Sequence, residues 1–569
     1  MAEVIKKRNR KAPDEQAKLR NKHRKETSRH VLVLEADMCE NDKRRIFNLA
    51  NRVRIIGNEI TGELKKNLEQ MQRTHSYKEA RTAYKKVRDK LSAIKDQESE
   101  QYKKLDAERK AIGKELNALH EQYKVTFDIA KSIAEEKCKQ FGVAAVFGLT
   151  RAIDIWTGVE KILYGDGQKL HFKKRGDFPE ICATQPNRGI VVKVKDGKLS
   201  FSLENVKPFG LIIKEKDIFA KTEVEKLIAF LSDKEAEEKH IAVYQKTGIP
   251  QDTFRICYCS LTCEEIRGRL RVFVHITIEG KASQKVDKDG NPRHNFKKGI
   301  VTTDIGTQSI AVVSEHGLML ENLAERDGIS TKKSERAQKI LQRKLDRSRR
   351  ANNPDRFNED GTYKKGSKGK WKQSKNYKRN KSRLKNICRK NAASREYSIN
   401  EMSNKVRSLG DTLLTEPSNA KALQKRAKPS APVTDPKTGQ TKHKRTKRFG
   451  KSIQYRCPGK AYATLKNKFE NTGGSFDTVD RMFRASQFDH KANTYTKKKL
   501  SQRWHEFPDG TKVQRDLYSA FLMFCSDGEL KAPDRARCEL YFEFFFKQHT
   551  DLVADIKKRG IHVCNSGIK

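Results

Sequence analysis

The sequence has no run of 18 or more apolar residues, so no segment is expected to span a lipid bilayer. Its amino terminus lacks the apolar core of a signal peptide and is basic instead, which predicts an intracellular protein. The 11 cysteines are an odd number and include no Cys-x-x-Cys pair, so neither a disulfide framework nor a zinc ribbon is expected.

Acidic residues are scarce relative to basic ones. The chain holds 73 Asp and Glu against 122 Lys and Arg, which gives a formal net charge of +49. Such an excess opposes compaction unless a polyanion neutralises it, and nucleic acid is the natural partner because each phosphate contact releases counterions. An anionic membrane surface is the rival polyanion. At 569 residues the chain is too long for one core, so three or more domains are expected.

The nearest approach to a cysteine cluster is Cys257, Cys259 and Cys263 in the segment CYCSLTC. The first two would share one face of a strand. Core packing is therefore the expected role, with a metal site as the alternative.

The first half of the chain reads as a β domain interrupted by helices. Residues 1–30 are predicted to form a disordered basic arm and residues 31–40 a first strand. Residues 41–140 have dense Lys/Glu pairs and apolar stripes, which predict long helices; a charged hairpin with solvated faces is the alternative. Residues 141–297 carry alternating strand patterns, two of them joined by an Asp-Gly turn at 196–197, which predict a small β-barrel or sandwich that includes the strand at 31–40.

The second half begins with strand patterns at 299–317 and then becomes strongly basic. Residues 331–400 hold 24 Lys and Arg against 6 Asp and Glu, a pattern typical of helices that contact phosphates. Tyr363, Trp371 and Tyr377 lie in this tract and either stack on bases or pack within the protein. The cations expected to contact nucleic acid are Arg343, Lys344, Arg347, Arg349, Arg350, Lys378, Arg379 and Arg383.

Three carboxylates stand at the ends of apolar segments. Asp304 lies in the strand pattern at 299–317, Glu416 ends the run DTLLTE, and Asp516 opens the apolar helix pattern DLYSAFLMF. Magnesium prefers oxygen ligands, and two such ions about 4 Å apart can activate water and stabilise the leaving oxygen of a phosphodiester. Singly, each residue has an ordinary alternative: Asp304 as a turn residue, Glu416 as a strand end and Asp516 as a helix N-cap. Together, in so basic a chain, they favour a metal-dependent nuclease.

The segments TTDIGTQSIAVV, LLTEPSNAKALQKR and VQRDLYSAFL occur in this order. In that order they resemble the three RuvC motifs of the TnpB-type transposon nucleases and the related compact type V CRISPR effectors. The resemblance covers residues 299–525 directly.

That resemblance implies a multidomain α+β protein with an RNase H-like RuvC α/β domain. It implies a bound guide RNA and cleavage of guide-complementary double-stranded DNA beside a short motif. Asp304, Glu416 and Asp516 would be the catalytic residues and the ligands of two Mg²⁺ ions, for which Mn²⁺ is expected to substitute. Arg515 would orient Asp516 or contact phosphate. The expected location is a prokaryotic cytoplasm, in association with the nucleoid and with no membrane.

The resemblance also assigns domains. The β-barrel wedge domain would comprise residues 31–40 and 141–297, with the helical recognition domain inserted at 41–140. The RuvC domain would have a first part at 298–425, with bridging helices at 331–400, and a second part at 452–550, with a target-nucleic-acid-binding insert at 485–514. A basic linker would span 426–451 and a C-terminal tail 551–569.

The sequence departs from the family pattern at two places. The family commonly has a four-cysteine zinc ribbon before the last Asp, whereas residues 485–514 contain no cysteine. The acids and histidines there are a poor tetrahedral set, so no zinc is predicted. The second departure is Tyr518, where Asn is usual. The acids and histidines of this segment are Asp489, His490, His505, Glu506 and Asp509.

Two other functions remain open at this point. A guide-dependent DNA-binding repressor without cleavage would lack one of the three carboxylates, and all three are present. A structural RNA-binding protein would need the charge but no metal-dependent activity.

Overall fold

A computed structural model describes residues 15–92, 94, 98–165, 167–183, 187–325, 332–364, 366, 369–418, 432–434, 441–443, 450–499 and 501–568. The chain divides into two compact units, Met1–Gln284 and Lys285–Lys569. Most of the predicted linker at 426–451 lies outside the described residues.

The first unit contains eight described helices and seven described strands. The helices are α1 (Glu15–Glu26), α2 (Glu40–Arg73), α3 (His75–Leu91), α4 (Glu100–Gln122), α5 (Phe127–Phe141), α6 (Ala145–Leu163), α7 (Ile218–Ser232) and α8 (Ala236–Thr247). The strands are β1 (Arg29–Asp37), β2 (Ile181–Cys182), β3 (Ile190–Lys195), β4 (Lys198–Leu203), β5 (Val206–Ile212), β6 (Arg255–Ile266) and β7 (Arg269–Glu279).

These seven strands form one sheet in the order β2-β6-β7-β1-β5-β4-β3. β1 pairs antiparallel with both β7 and β5, so the strand predicted at 31–40 does join strands that follow the helical block. The predicted Asp-Gly turn is also present: Asp196 and Gly197 join β3 to β4, both with positive φ. Among the described residues no pairing joins β2 to β3, so the sheet is open and the predicted barrel is not closed.

The sheet and the inserted helices share a single hydrophobic core. Ile56 and Ile60 of α2 are fully buried in the same cluster as Val274 and Ile276 of β7. The helices and the sheet of this unit therefore pack around one core.

The predicted disordered arm differs from the structure over its described part. Residues 1–14 lie outside the described residues, but Glu15–Glu26 form helix α1. The ring of His23 is fully buried and lies edge-on to the ring of Tyr244, 4.9 Å away between centroids. Tyr244 in turn donates a hydrogen bond to Glu26. A tertiary contact with α8 therefore orders a segment whose charge alone predicts disorder.

The second unit contains six described helices and eleven described strands. The helices are α9 (Lys332–Asn352), α10 (Lys375–Ser408), α11 (Gly450–Arg456), α12 (Pro458–Asn471), α13 (Arg515–Phe524) and α14 (Arg535–Lys558), with 3-10 turns at Pro354–Arg356 and Ala485–Gln487. The strands are β8 (Ile300–Ile305), β9 (Ser309–Ser314), β10 (Gly317–Asn322), β11 (Thr412–Thr415), β12 (Pro432–Thr434), β13 (Thr441–His443), β14 (Ser475–Thr478), β15 (Phe488–Asp489), β16 (Thr494–Tyr495), β17 (Trp504–Glu506) and β18 (Lys512–Gln514).

A five-stranded mixed sheet, in the order β10-β9-β8-β11-β14, organises this unit. β8, β9 and β10 form an antiparallel meander, whereas β11 runs parallel to both β8 and β14. Gly410 permits the close approach of β11 to β8, because a Cβ there would lie 2.4 Å from the carbonyl oxygen of Gly299.

Helices cover both faces of this sheet. On one face Val313 and Leu414 pack with Leu517 and Phe521 of α13 and with residues of α14. On the other face Val312 and Leu413 pack with residues of α10 and α12. Burial on both faces explains the nearly continuous apolar run of β9.

The predicted tail at 551–569 is partly a continuation of helix α14, which ends only at Lys558. The buried residues of α14 are spaced three, four or seven positions apart, as expected for one face of a long helix. They are Cys538, Phe542, Phe545, His549 and Ile556.

Candidate active site

Asp304 lies near the carboxyl end of β8, opposite Ala311 of β9. Side chains alternate along a strand, so Asp304 shares a face with Thr302. Thr302 lies on the face covered by α13, because its hydroxyl donates a 2.7 Å hydrogen bond to the carbonyl oxygen of Ala520. The predicted carboxylate is therefore half-buried beside helix α13.

Glu416 directly follows β11, the parallel neighbour of β8. Thr415 pairs in register with Thr303, and its hydroxyl donates a 2.9 Å hydrogen bond to the Thr303 carbonyl oxygen. Glu416 and Asp304 are thus the next residues along two adjacent strands that end at the same edge of the sheet. Glu416 follows Leu414 by two residues and shares its face, which is also the face that α13 covers.

Asp516 lies in the first turn of helix α13 and is not its N-cap. Gln514 has that role: its side-chain oxygen accepts the N–H of Leu517 at 2.8 Å. The amide nitrogen of Gln514 also lies 3.4 Å from a carboxylate oxygen of Asp516. Asp516 precedes Ala520 by one helical turn, so the hydrogen bond from Thr302 to Ala520 fixes the start of α13 against β8.

The three carboxylates interact electrostatically. Desolvation raises the pKa of Asp304 well above its ordinary value, and the negative charges of Asp516 and Glu416 raise it further. Arg515 opposes this shift. Glu416 is more exposed than Asp304, yet partial desolvation raises its pKa as well. A strongly raised carboxyl pKa beside further carboxylates is typical of a functional site.

The donor set has the chemistry that magnesium prefers, since all three side chains present carboxylate oxygens and their mutual repulsion would be relieved by a cation. Among the described residues, however, no group of three or more His, Cys, Asp and Glu is placed to hold a metal ion. Magnesium commonly takes only one or two carboxylates and completes its coordination with substrate phosphate and water. The described residues therefore do not form a closed protein cage for a metal ion.

Arg515 is placed to orient Asp516. Its guanidinium lies 3.3 Å from a carboxylate oxygen of Asp516 and donates a 3.0 Å hydrogen bond to the carbonyl oxygen of Gln502. Two acceptors thus hold the guanidinium of Arg515, and its side chain is only slightly exposed. This geometry favours the predicted orienting role over free phosphate contact.

The cysteine-free segment at 485–514 folds around a buried polar cluster. The ring of His505 lies 3.1 Å from the carboxylate of Asp489 and accepts a hydrogen bond from Lys498. The hydroxyl of Tyr518 contacts the ring of His490 at 2.8 Å, and burial lowers the pKa of both histidines to about 4. Tyr518, which departs from the family pattern, therefore joins this segment to helix α13.

His549 supports the same region from helix α14. The side chain is 3% exposed, and its Nε2 accepts the backbone N–H of Gln514 at 2.9 Å. Burial lowers the pKa of His549 to about 4, so the imidazole is neutral at physiological pH and can keep this acceptor role.

We expect protonation of His549 to contribute to acid unfolding. Between pH 6.5 and pH 4 the unfolded chain binds a proton at this residue and the folded chain does not. The free energy of unfolding should therefore fall by up to about 1.4 kcal/mol for each pH unit as the pH decreases. His549→Gln keeps an acceptor without a titrating group and should show a shallower dependence in urea unfolding at a series of pH values. His75→Gln, at a site with an 85% exposed side chain, is the matched control. Equal slopes for wild type and His549→Gln would contradict the assignment.

The predicted nucleic-acid-binding cations lie on two basic helices. Arg343, Lys344, Arg347, Arg349 and Arg350 are exposed on α9, and Lys378, Arg379 and Arg383 are exposed on α10. The helices run antiparallel, since Ser334 contacts Asn391 at 2.5 Å and Ser348 contacts Ser374 at 3.4 Å. No Asp or Glu occurs from residue 361 to residue 395. The hairpin of α9 and α10 therefore presents a concentrated positive surface.

The cysteines at 257–263 lie in β6. Cys257 and Cys259 are buried, and Cys259 and Cys263 pack in the hydrophobic core of the first unit. Burial raises the pKa of the Cys259 and Cys263 thiols to about 12, so both stay protonated at physiological pH. This agrees with the expected packing role.

None of the described helices has both the length and the apolar character that a membrane span requires.

Two positioning residues were missed from the sequence. Gln514 could have been noticed, because it stands three residues before the amide that it caps. Thr302 gave no signal, because its partner Ala520 is 218 residues away in the chain.

Among known proteins, neither protein-family models nor curated proteins matched the chain. Among solved structures, the chain is similar to the Cas12i1 R-loop complex after target DNA cleavage (TM-score 0.26, 8% identity) and before cleavage (TM-score 0.26, 9% identity). Each alignment covers 92% of this chain, and the chain spans 64% of the length of the Cas12i1 chain. Similarity at this level shows neither a shared fold nor a shared activity.

Proposed function

We propose that this protein is an RNA-guided DNA endonuclease that hydrolyses guide-complementary DNA at Asp304, Glu416 and Asp516. One observation carries the proposal. Carboxylates from three distant segments lie near one edge of one sheet, close enough that the charges of Asp516 and Glu416 raise the pKa of Asp304. The surface of the protein is otherwise basic, yet three carboxylates are concentrated here. A bound cation would relieve their mutual repulsion.

The architecture of the second unit supports an RNase H-like RuvC domain. An antiparallel meander leads into two parallel strands, with helices on both faces of the sheet. Asp304 lies on the central strand, Glu416 follows its parallel neighbour, and Asp516 lies on the helix that crosses that strand. Sites in mixed α/β sheets commonly lie at the carboxyl ends of the parallel strands.

The residues of the site fall into groups with different roles in the proposed reaction. Asp304, Glu416 and Asp516 would hold divalent cations, Arg515 orients Asp516, and Thr302 and Gln514 fix the start of α13. Bound magnesium supplies water activation and charge stabilisation at the phosphodiester. The α9/α10 cations hold nucleic-acid phosphates, while base pairing to the guide carries the sequence information.

The test begins with the RNA that co-purifies with the full-length protein. Sequencing that RNA gives the guide region and shows whether it comes from a repeat array or a transposon end. Plasmids with a matching target and a randomised flank are then incubated with the ribonucleoprotein over a magnesium series. Cleavage of matched plasmids only, with dependence on magnesium, is expected. Absence of metal-dependent cleavage with every recovered guide would overturn the proposal and favour a structural RNA-binding protein.

A guide-dependent DNA binder without cleavage is the second candidate. The observation that favours it is the lack, among the described residues, of three ligands placed around one metal ion. Binding of matched plasmid without cleavage at any magnesium concentration would support this function.

A further inference from the structure

A recess of about 290 Å³ lies where the last turn of α9 meets the first turn of α10. Its lining combines a cation, an aromatic ring and an amide in Arg349, Trp371 and Gln373, together with Lys372 and Tyr377. Small-molecule sites usually start at about 300 Å³, so this recess suits a single flat heterocycle rather than a larger ligand.

The recess is held open by a buried asparagine. Asn353 is 4% exposed, and its side-chain nitrogen donates to the carbonyl oxygens of Arg349 (2.9 Å) and Lys372 (3.1 Å). Its side-chain oxygen accepts the N–H of Lys372 at 2.8 Å. These three bonds fix the segment that carries Trp371 and Gln373 to the end of α9, so the recess has a set geometry.

Trp371 is only partly packed. Its ring centroid lies 5.7 Å from that of Tyr363 and 6.0 Å from that of Phe357, and the guanidinium of Arg356 lies 4.7 Å over the ring. These contacts fix the ring, yet the residue remains 37% exposed. An immobilised and exposed indole offers a stacking surface without an ordering cost on binding.

Polar groups around the ring suit a nucleotide. The guanidinium of Arg349 donates to the hydroxyl of Tyr377 at 3.4 Å and lies 5.8 Å over the indole ring, which holds its charge at the recess. Lys372 and Gln373 are exposed beside it. Arg349 is also 3.6 Å from the exposed Asp346, which is the acid paired with it. A phosphate would compete with that surface pair at small cost.

We propose that this recess takes one unpaired nucleobase of a single-stranded nucleic acid, stacked on Trp371, with a flanking phosphate held by Arg349 and Lys372. Gln373 would read the edge of the base. The inference rests on the nucleic-acid partner of the proposed function and adds a defined contact to an unpaired nucleotide.

Binding of bases and of phosphates can be separated with labelled 12-mers. Full-length protein, freed of co-purifying nucleic acid at high salt, is titrated in EDTA with oligothymidylate, oligouridylate and a 12-mer of abasic sites with the same phosphates. Wild type should bind the base-containing strands about 5- to 100-fold more tightly than the abasic strand. The DNA and RNA arms show which strand supplies the base.

Trp371→Ala should reduce that ratio about fivefold or more and leave abasic binding unchanged, whereas Trp371→Phe should retain most of it. Tyr397→Ala removes an aromatic side chain of α10 that is 54% exposed, and should keep the wild-type ratio. Arg349→Gln should weaken all three strands alike. An unchanged ratio in Trp371→Ala, or no preference for bases in wild type, would overturn the proposal. Because EDTA excludes cleavage, failure of the nuclease proposal would leave this measurement unaffected.

Discussion

We expect Asp304→Ala to reduce guide-dependent DNA cleavage by at least about 10²- to 10³-fold while nucleic-acid affinity stays within about twofold. Besides desolvation, the charges of both Asp516 and Glu416 raise the pKa of the Asp304 side chain. Its loss would remove a proposed metal ligand and leave all the basic residues of α9 and α10 in place. Plasmid cleavage under single-turnover conditions measures the first effect, and filter binding in EDTA measures the second.

The same variant should not be destabilised, which separates a catalytic role from a structural one. Alanine relieves the repulsion of Asp304 by the two neighbouring carboxylates, so the melting temperature without metal should stay equal or rise. Asp551→Ala, at an exposed position of α14, is the matched control and should cleave like wild type. Cleavage by Asp304→Ala within tenfold of wild type would rule out Asp304 as a ligand.

Neutralising four arginines of the basic hairpin should weaken nucleic-acid binding by on the order of 10²-fold, for matched and unmatched sequences alike. The slope of log K against log salt concentration should become shallower by about 2 to 4, because up to four phosphate contacts are lost. Among the contacts of the described residues none pairs these arginines with an acid, so their charges are available to phosphates. The substitutions are Arg343→Gln, Arg347→Gln, Arg379→Gln and Arg383→Gln.

A control with the same change in net charge removes lysines that are already paired with acids. Four such lysines of the first unit each lie within 4.0 Å of a carboxylate of a nearby residue. Their replacement should alter the salt slope by much less. Equal slopes for the two quadruple variants would mean that net charge, rather than the α9/α10 surface, governs binding. The control substitutions are Lys66→Gln, Lys103→Gln, Lys110→Gln and Lys131→Gln.

Local patterns predicted local structure well. The Asp-Gly turn at 196–197, the helix that begins beside Asp516 and the strand that ends before Glu416 all depend on residues within a few positions. Turn residues, caps and alternation act over that range, so they can be read without the fold.

Predictions that depended on distant contacts were less successful. Residues 15–26, predicted to be part of a disordered arm, form helix α1, which packs beside α8. Helix α14 extends to Lys558, into the segment predicted as a C-terminal tail, and its Ile556 is buried in the core that covers the sheet of the second unit.

The sequence by itself determined the basic charge, the positions of the candidate phosphate-binding cations, the three candidate carboxylates and the absence of cysteine before Asp516, because these are properties of composition and order. Only the tertiary structure decided that Thr302 fixes α13 beside β8, and that Trp371 and Arg349 line one recess. Those relations join residues that are far apart in the chain or separated by an irregular loop, and such proximity depends on packing rather than on local spacing.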